Sequence, residues 1–305
     1  MGVAMLSVLF YHMYCWPGEN QHLSLFRYGY IGVDIFLFLS GFGLCFSIEK
    51  NSIRQFYLNR FRRIIPLYWL QIIIELFIAV VIGGGNFPTE RLPSFLGLPV
   101  IEEGLPLSNW YVSAIILFYL LFPLLVRVVR RYPLGTLLST YSVAILLLSV
   151  FPKMPWYYDC IVSRLSVFEL GIICYSFHSD VHVMSRSFVV SAFVWCLSIT
   201  YDVSMFLDTS AFCPILILCL YTLHKTFTET HAKTEKILMF VGMYSYEIFI
   251  SNGSVAATLL YLFRIGHMRH LWEIVSSYII LSFIYGSIWI MISRIINNRL
   301  INRKK

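Results

Sequence analysis

Long apolar runs separated by short polar punctuation set the pattern of this chain. About ten runs read as membrane-crossing helices, near 3–16, 28–47, 64–83, 110–126, 134–151, 158–177, 187–203, 211–224, 237–261 and 271–293, because roughly 20 residues cross the hydrocarbon core as a helix. The first run is the anomaly, since Met1 to Trp16 barely reaches that length and nothing polar precedes it. Between the runs, "EKNSIRQFYLNRFRR" (Glu49 to Arg63) has the composition of an amphipathic helix at the membrane surface. "GGGNFPTERLPSFLGLPVIEEGLPLSN" (Gly83 to Asn109) is rich in Gly and Pro, and a connection of that length reads as a lid, a binding loop or a disordered segment. No soluble domain, low-complexity linker or internal repeat interrupts the pattern, so 1–305 is read as one integral-membrane domain of the all-α class.

Composition supports that class. Charged residues are 13% of the chain and hydrophobic ones 58%, whereas a soluble domain is about a quarter charged. The net charge of +7 raises the question of an anionic partner, and its placement answers it. Alternating sides from a cytoplasmic N-terminus leaves only Arg27, Arg91, Lys153, Arg264 and Arg269 outside, with Arg164 inside a span and every other Lys and Arg cytoplasmic. That skew obeys the positive-inside rule and predicts a polytopic helix bundle with both termini cytoplasmic. The basic charge is thus mainly a topology signal, and with no basic folded module nucleic-acid binding is not expected. No basic n-region or small-residue cleavage site follows Met1, so no cleavable signal peptide is expected. The seven cysteines lie in or beside apolar runs without a CxxC pair, and read as core residues, neither a disulfide framework nor a metal site.

Ionisable residues at membrane depth are costly and mark either function or structural pairing. Six lie inside apolar runs: His12, Asp34, Glu75, Arg164, Glu169 and Glu247. His12 precedes the outer end of the first run and Asp34 follows the start of the second, so a hairpin brings them to similar depth. A carboxylate on one imidazole nitrogen would fix the tautomer and leave the other nitrogen to take a proton; a histidine hydrogen-bonded to any neighbouring helix is the equal alternative. Arg60 and Arg63 share a helical face and suit bidentate phosphate binding, although "RFRR" before a span is also ordinary topological punctuation. Arg164 and Glu169 fall on different helical faces, and either could pair with another helix. "PWYY" (Pro155 to Tyr158) reads as an interfacial aromatic belt.

Several stretches, taken in order, resemble the integral-membrane acyltransferase 3 family. They are "YGYIGVDIFLFLSGFGL" (Tyr28 to Leu44), "FYLNRFRRIIPLYW" (Phe56 to Trp69), "NWYVSAIILFYLLFPLL" (Asn109 to Leu125), "SRLSVFELGIICY" (Ser163 to Tyr175) and "VGMYSYEIFISNGS" (Val241 to Ser254). The resemblance implies acyl transfer, commonly of acetyl from acetyl-CoA, from cytoplasmic acyl-CoA to a hydroxyl of an exported polysaccharide or glycolipid. Carried onto this chain, it makes His12 the catalytic base with Asp34 as its orienter, and Arg60 and Arg63 the grip on the CoA phosphates. Arg164, or a Tyr or Trp donor, is left for the oxyanion or for a structural charge. Direct transfer and a covalent acyl-histidine both stay open. The family's basic residue before the histidine would fall on Met1, which predicts either a native start upstream or a truncated, impaired copy. Two further departures are Ile115, where many members have Glu, and Asn252, where many have His. The expected location is the bacterial inner membrane, and no cofactor beyond the co-substrate is expected. The competing classes are a proton-coupled transporter, with His12, Asp34 and Glu169 as relays, and a non-catalytic membrane component of polysaccharide assembly. Transporters often show internal repeats, and this sequence has none that can be seen.

Overall fold

The computed structural model describes residues 1–15, 21–82, 93, 95–96, 110–227, 232–264 and 271–302. Among them the chain is all-helical: α1 (Gly2–Cys15), a 3-10 segment (Gln21–Tyr30), α2 (Ile31–Lys50), α3 (Ile53–Ile82), α4 (Trp110–Arg131), α5 (Pro133–Val150), α6 (Trp156–Ser176), α7 (Val181–Tyr201), α8 (Met205–Phe227), α9 (Ala232–Met243), α10 (Ser245–Arg264) and α11 (Leu271–Asn302). Among the described residues, six helical stretches are long and apolar enough to cross a membrane: Leu23–Lys50, Trp110–Arg131, Pro133–Val150, Val181–Tyr201, Met205–Thr222 and Glu273–Ile296. The lid or binding-loop reading of Gly83 to Asn109 falls outside the described residues, apart from Pro93, Phe95 and Leu96.

Two expectations about boundaries change. The run at 237–261 is not one helix, because α9 and α10 break at Tyr244. Nothing in "VGMYSYEIF" is polar enough to announce that break. It falls where Gly242 presses on the start of α1 and the Tyr244 hydroxyl accepts from Arg294 Nε at 3.1 Å. The surface segment 49–63 is not a separate helix either. Asn51 is extended, the Ser52 hydroxyl accepts from the Gln55 N–H at 3.3 Å, and α3 then runs unbroken from that cap-like contact into the apolar run.

The helices form two compact units. The first comprises Met1–Gly29, Phe61–Ser113 and Ile237–Lys305; the second comprises Tyr30–Arg60 and Ala114–Lys236. In the second unit α2 and α6 run parallel and almost touch. A Cβ on Gly41 would meet the Phe168 carbonyl oxygen at 2.1 Å, and one on Gly171 would meet the Phe38 carbonyl oxygen at 2.0 Å. Small residues permit such approach between apolar helices, where van der Waals packing drives association. Phe118 and Phe122 pack their rings on Phe168 beside this crossing. Asp180 caps α7 by accepting the His182 and Val183 N–H groups.

In the first unit α1 packs along α10. A Cβ on Gly2 would meet the Leu238 carbonyl oxygen at 2.1 Å, one on Gly242 would meet the Gly2 nitrogen at 2.9 Å, and the Ser245 hydroxyl lies 3.8 Å from the Met1 sulfur. The far end of α1 joins a core cluster of Met13, Val255, Leu259, Ile274 and Tyr278. The two helices therefore start level and run parallel.

Candidate functional site

The first unit carries His12. Met5 and Val8 are fully buried, and steps of three and four residues put His12 on the same helical face. The imidazole is half-buried at the inner side of α1, one residue before Met13 of the core cluster. Facing helices bring polar groups to this depth. Gln71 Nε2 donates to Glu75 Oε1 at 2.6 Å, and the Ser254 hydroxyl donates to Gln71 Oε1 at 3.2 Å. Gly253 lets α10 settle on that pair, since a Cβ there would meet Glu75 Oε1 at 2.5 Å and Gln71 Nε2 at 2.7 Å. The Tyr278 hydroxyl of α11 donates to Asn252 Oδ1 at 2.8 Å, while Asn252 Nδ2 is buried and has no hydrogen-bond partner among the described residues.

At the end of the unit where α10 starts, Arg62 and Arg63 line a cavity of about 40 Å³ with Leu67, Glu247, Ser293 and Ile296. Glu247 Oε1 accepts from Ser293 at 2.7 Å, and its Oε2 has no hydrogen-bond partner among the described residues. The Tyr246 hydroxyl donates to the Ile64 carbonyl at 2.8 Å, tying the start of α10 to α3. This end thus sets two guanidinium groups beside a carboxylate.

The second unit carries Asp34, Arg60 and Arg164. Arg164 Nε lies 3.2 Å from Asp34 Oδ1, with both side chains almost wholly buried. The same oxygen accepts from Ser210 at 2.7 Å, and the guanidinium sits 4.9 Å from the centre of the Phe206 ring. The structure thus places Arg164 in an ion pair with another helix. Its neighbour by sequence, Glu169, accepts from Thr140 at 2.9 Å on α5, as their different helical faces require. Arg60 Nη2 donates to Ser47 at 3.2 Å. Arg130 forms an ion pair with Glu49, whose other carboxylate oxygen accepts from Tyr175. A cavity of about 610 Å³ opens among the ends of α5, α6 and α7, with Ser149, Asp159 and Asp202 as its acidic and hydroxyl lining. Asp159 Oδ1 accepts from Ser163 at 2.7 Å and Ser204 at 2.8 Å.

The structure therefore brings Asp34 to Arg164 and Ser210 within one unit. His12 and Arg63 belong to the other unit, and Arg60 and Arg63 share the continuous helix α3. Gln71, Ser254 and Tyr278 had no distinguishing signal in the sequence, being neutral polar residues in apolar runs. Asn252 was visible only as a departure from a motif.

A family model described as an acyltransferase domain matches residues 2–295. Three relatives match over shorter stretches. A protein of Acidianus two-tailed virus named as an acetyltransferase is 44% identical over 70 residues, covering 23% of this chain and 21% of the relative. The acyltransferase MdmB of Streptomyces mycarofaciens is 33% identical over 127 residues, covering 38% and 33%. The peptidoglycan O-acetyltransferase OatA of Listeria monocytogenes is 33% identical over 116 residues, covering 36% and 16%. The chain thus spans a third or less of the length of each of these relatives. No solved structure matches it.

Proposed function

Because the chain belongs to the acyltransferase family whose model spans residues 2–295, we propose that it is a multi-pass membrane enzyme that transfers an acyl group, typically acetyl, from cytoplasmic acyl-CoA to a hydroxyl of a cell-surface polysaccharide or glycolipid. The observation that carries this reading is His12, an ionisable side chain on the buried Met5–Val8 face of an apolar helix. A base is needed at such depth if donor and acceptor arrive from opposite sides of the bilayer, and ionisable residues in membrane spans are functional by default. The relative named peptidoglycan O-acetyltransferase supports a glycan hydroxyl as acceptor.

In this reading α1, α3, α6 and the α9–α10 pair add four crossings to the six apolar stretches, with both termini cytoplasmic in a bacterial inner membrane. Arg60 and Arg63 hold the donor phosphates from α3, with Arg62 beside them. His12 removes the acceptor proton as the hydroxyl oxygen attacks the thioester carbonyl. General-base assistance of this kind contributes on the order of 10² to 10⁴-fold. Acetyl content of the cell-surface polysaccharide, read by NMR, tests the reading. The expected result is O-acetylation in the wild type and its loss in His12→Ala; equal acetylation in both strains would reject His12 as the base.

A further inference from the structure

Attack on a thioester moves negative charge onto the carbonyl oxygen, and in a water-poor site that charge needs a fixed hydrogen-bond donor. Asn252 has the attributes of such a donor. It is 6% exposed. Its Oδ1 is held by the Tyr278 hydroxyl at 2.8 Å, which fixes the amide plane and turns Nδ2 the opposite way. That nitrogen is buried without a hydrogen-bond partner among the described residues. Leaving a buried N–H unpaired costs about 1–3 kcal/mol, and an apolar side chain would fill the position without that cost. The Tyr278 bond accounts for the amide oxygen but not for the open N–H, which an incoming oxygen atom would satisfy.

Its level in the unit is also informative. α1 starts against α9, through Gly2 and Leu238, and level with the start of α10, through Met1 and Ser245, and α1 and α10 remain together at Met13, Val255 and Leu259. At about 1.5 Å per residue, His12 stands roughly 16 Å above Met1 and Asn252 roughly 10 Å above Ser245. The amide is thus about one helical turn nearer than the imidazole to the end that carries Arg62, Arg63 and Glu247. A thioester entering from the phosphate-binding end meets Asn252 first, and a hydroxyl entering from the opposite end meets His12. The order of the two groups matches the direction in which each reactant travels.

We propose that Asn252 is the oxyanion donor of the acyl transfer, a catalytic residue whose orientation is set by Tyr278; this rests on the acyltransferase reading above. The acceptor oxygen forms a bond to the thioester carbonyl carbon while His12 takes the hydroxyl proton. The carbonyl oxygen becomes an oxyanion and accepts the Asn252 Nδ2–H. Collapse breaks the carbon–sulfur bond, and the departing CoA thiolate takes the proton from the imidazolium of His12. No oxidant, reductant or further reactant is required.

The test uses membranes of the producing strain, which supply the native acceptor, with labelled acetyl-CoA as donor and each variant normalised to its protein content. Asn252→Asp keeps the shape and loses the N–H donor; Asn252→Ala removes the group. Both are expected to lower kcat by about 10² to 10³-fold with little change in donor KM. Tyr278→Phe, which keeps the amide but frees its orientation, is expected to lower kcat by roughly tenfold. If Asn252→Ala fails to accumulate, Asn252→Asp alone decides. A kcat close to wild type in the accumulating variant, or a raised KM at constant kcat, overturns the proposal. Loss of transfer in His12→Ala with full transfer in the Asn252 variants overturns this proposal alone; no transfer by the wild type overturns the acyltransferase reading and the proposal with it.

Discussion

The α2–α6 seam of the second unit and the α1–α10 seam of the first are both parallel helix pairs, yet they bury different chemistry. The second unit sets opposite charges against each other, Arg164 on α6 and Asp34 on α2, seven residues from Gly171 and Gly41 respectively. The step of two helical turns puts the ion pair on the same face as the glycine contact. A buried pair with excellent geometry is tolerable, but one left with a single partner is strongly destabilising. The first unit aligns amides and hydroxyls, from Gln71 and Ser254 to Asn252 and Tyr278, and leaves one buried N–H open. The amides and hydroxyls of that seam can be altered at smaller cost to folding than a buried ion pair. The difference separates a region where mutation should remove the protein from one where it should remove turnover.

The comparison is broken most severely at Gly171. A valine there must place carbon atoms where the Phe38 carbonyl oxygen stands, 2.0 Å from the Cβ position, and backbone cannot yield as a side chain can. Gly171→Val is expected to abolish accumulation in the membrane, read by immunoblot; normal abundance would mean that the helices do not approach as described. Next in size, Arg164→Ala leaves Asp34 buried without its cation and is expected to cost about 3–5 kcal/mol, seen as a large fall in thermal stability in detergent. Adding Asp34→Asn should restore much of the loss. If the double variant is no better than the single one, the ion pair is not what makes Arg164 necessary. The smallest effect belongs to the first unit. Gly253→Ala meets only the ends of two side chains, Glu75 and Gln71, which can shift, and alanine recovers about 0.5–1 kcal/mol of helix propensity. A net loss of about 1 kcal/mol is expected against an overpacking cost of roughly 1–3 kcal/mol, together with a measurable drop in kcat. A loss as large as that of Arg164→Ala would erase the distinction between the seams.

What could be read from the sequence follows the same division. Apolar runs announce helices because every backbone group in lipid must be bonded within its own segment, so α2, α4, α5, α7, α8 and α11 lie where the runs lie. The break at Tyr244 was not legible in the pattern; it coincides with the close contact between Gly242 and Gly2. The continuity of α3 was obscured by charge, since polar residues at 49–63 resemble a surface segment whether or not the helix goes on. His12, Asp34 and Arg164 stood out because ionisable groups are rare in apolar runs. That Arg164 meets Asp34 could not be seen, since long-range partners leave no local pattern. Gln71, Ser254 and Tyr278 are too ordinary in apolar helices to be singled out, and Asn252 showed only as a departure from a motif; their geometry sets them apart.

The central claim is that His12 is the base of an acyl transfer. The direct measurement is the initial rate of labelled acetyl transfer from acetyl-CoA to native acceptor in membranes, wild type against His12→Gln, with equal folded protein confirmed by thermal unfolding. The account predicts a rate lower by about 10² to 10⁴-fold in His12→Gln with unchanged stability. Equal rates in the two proteins would contradict it.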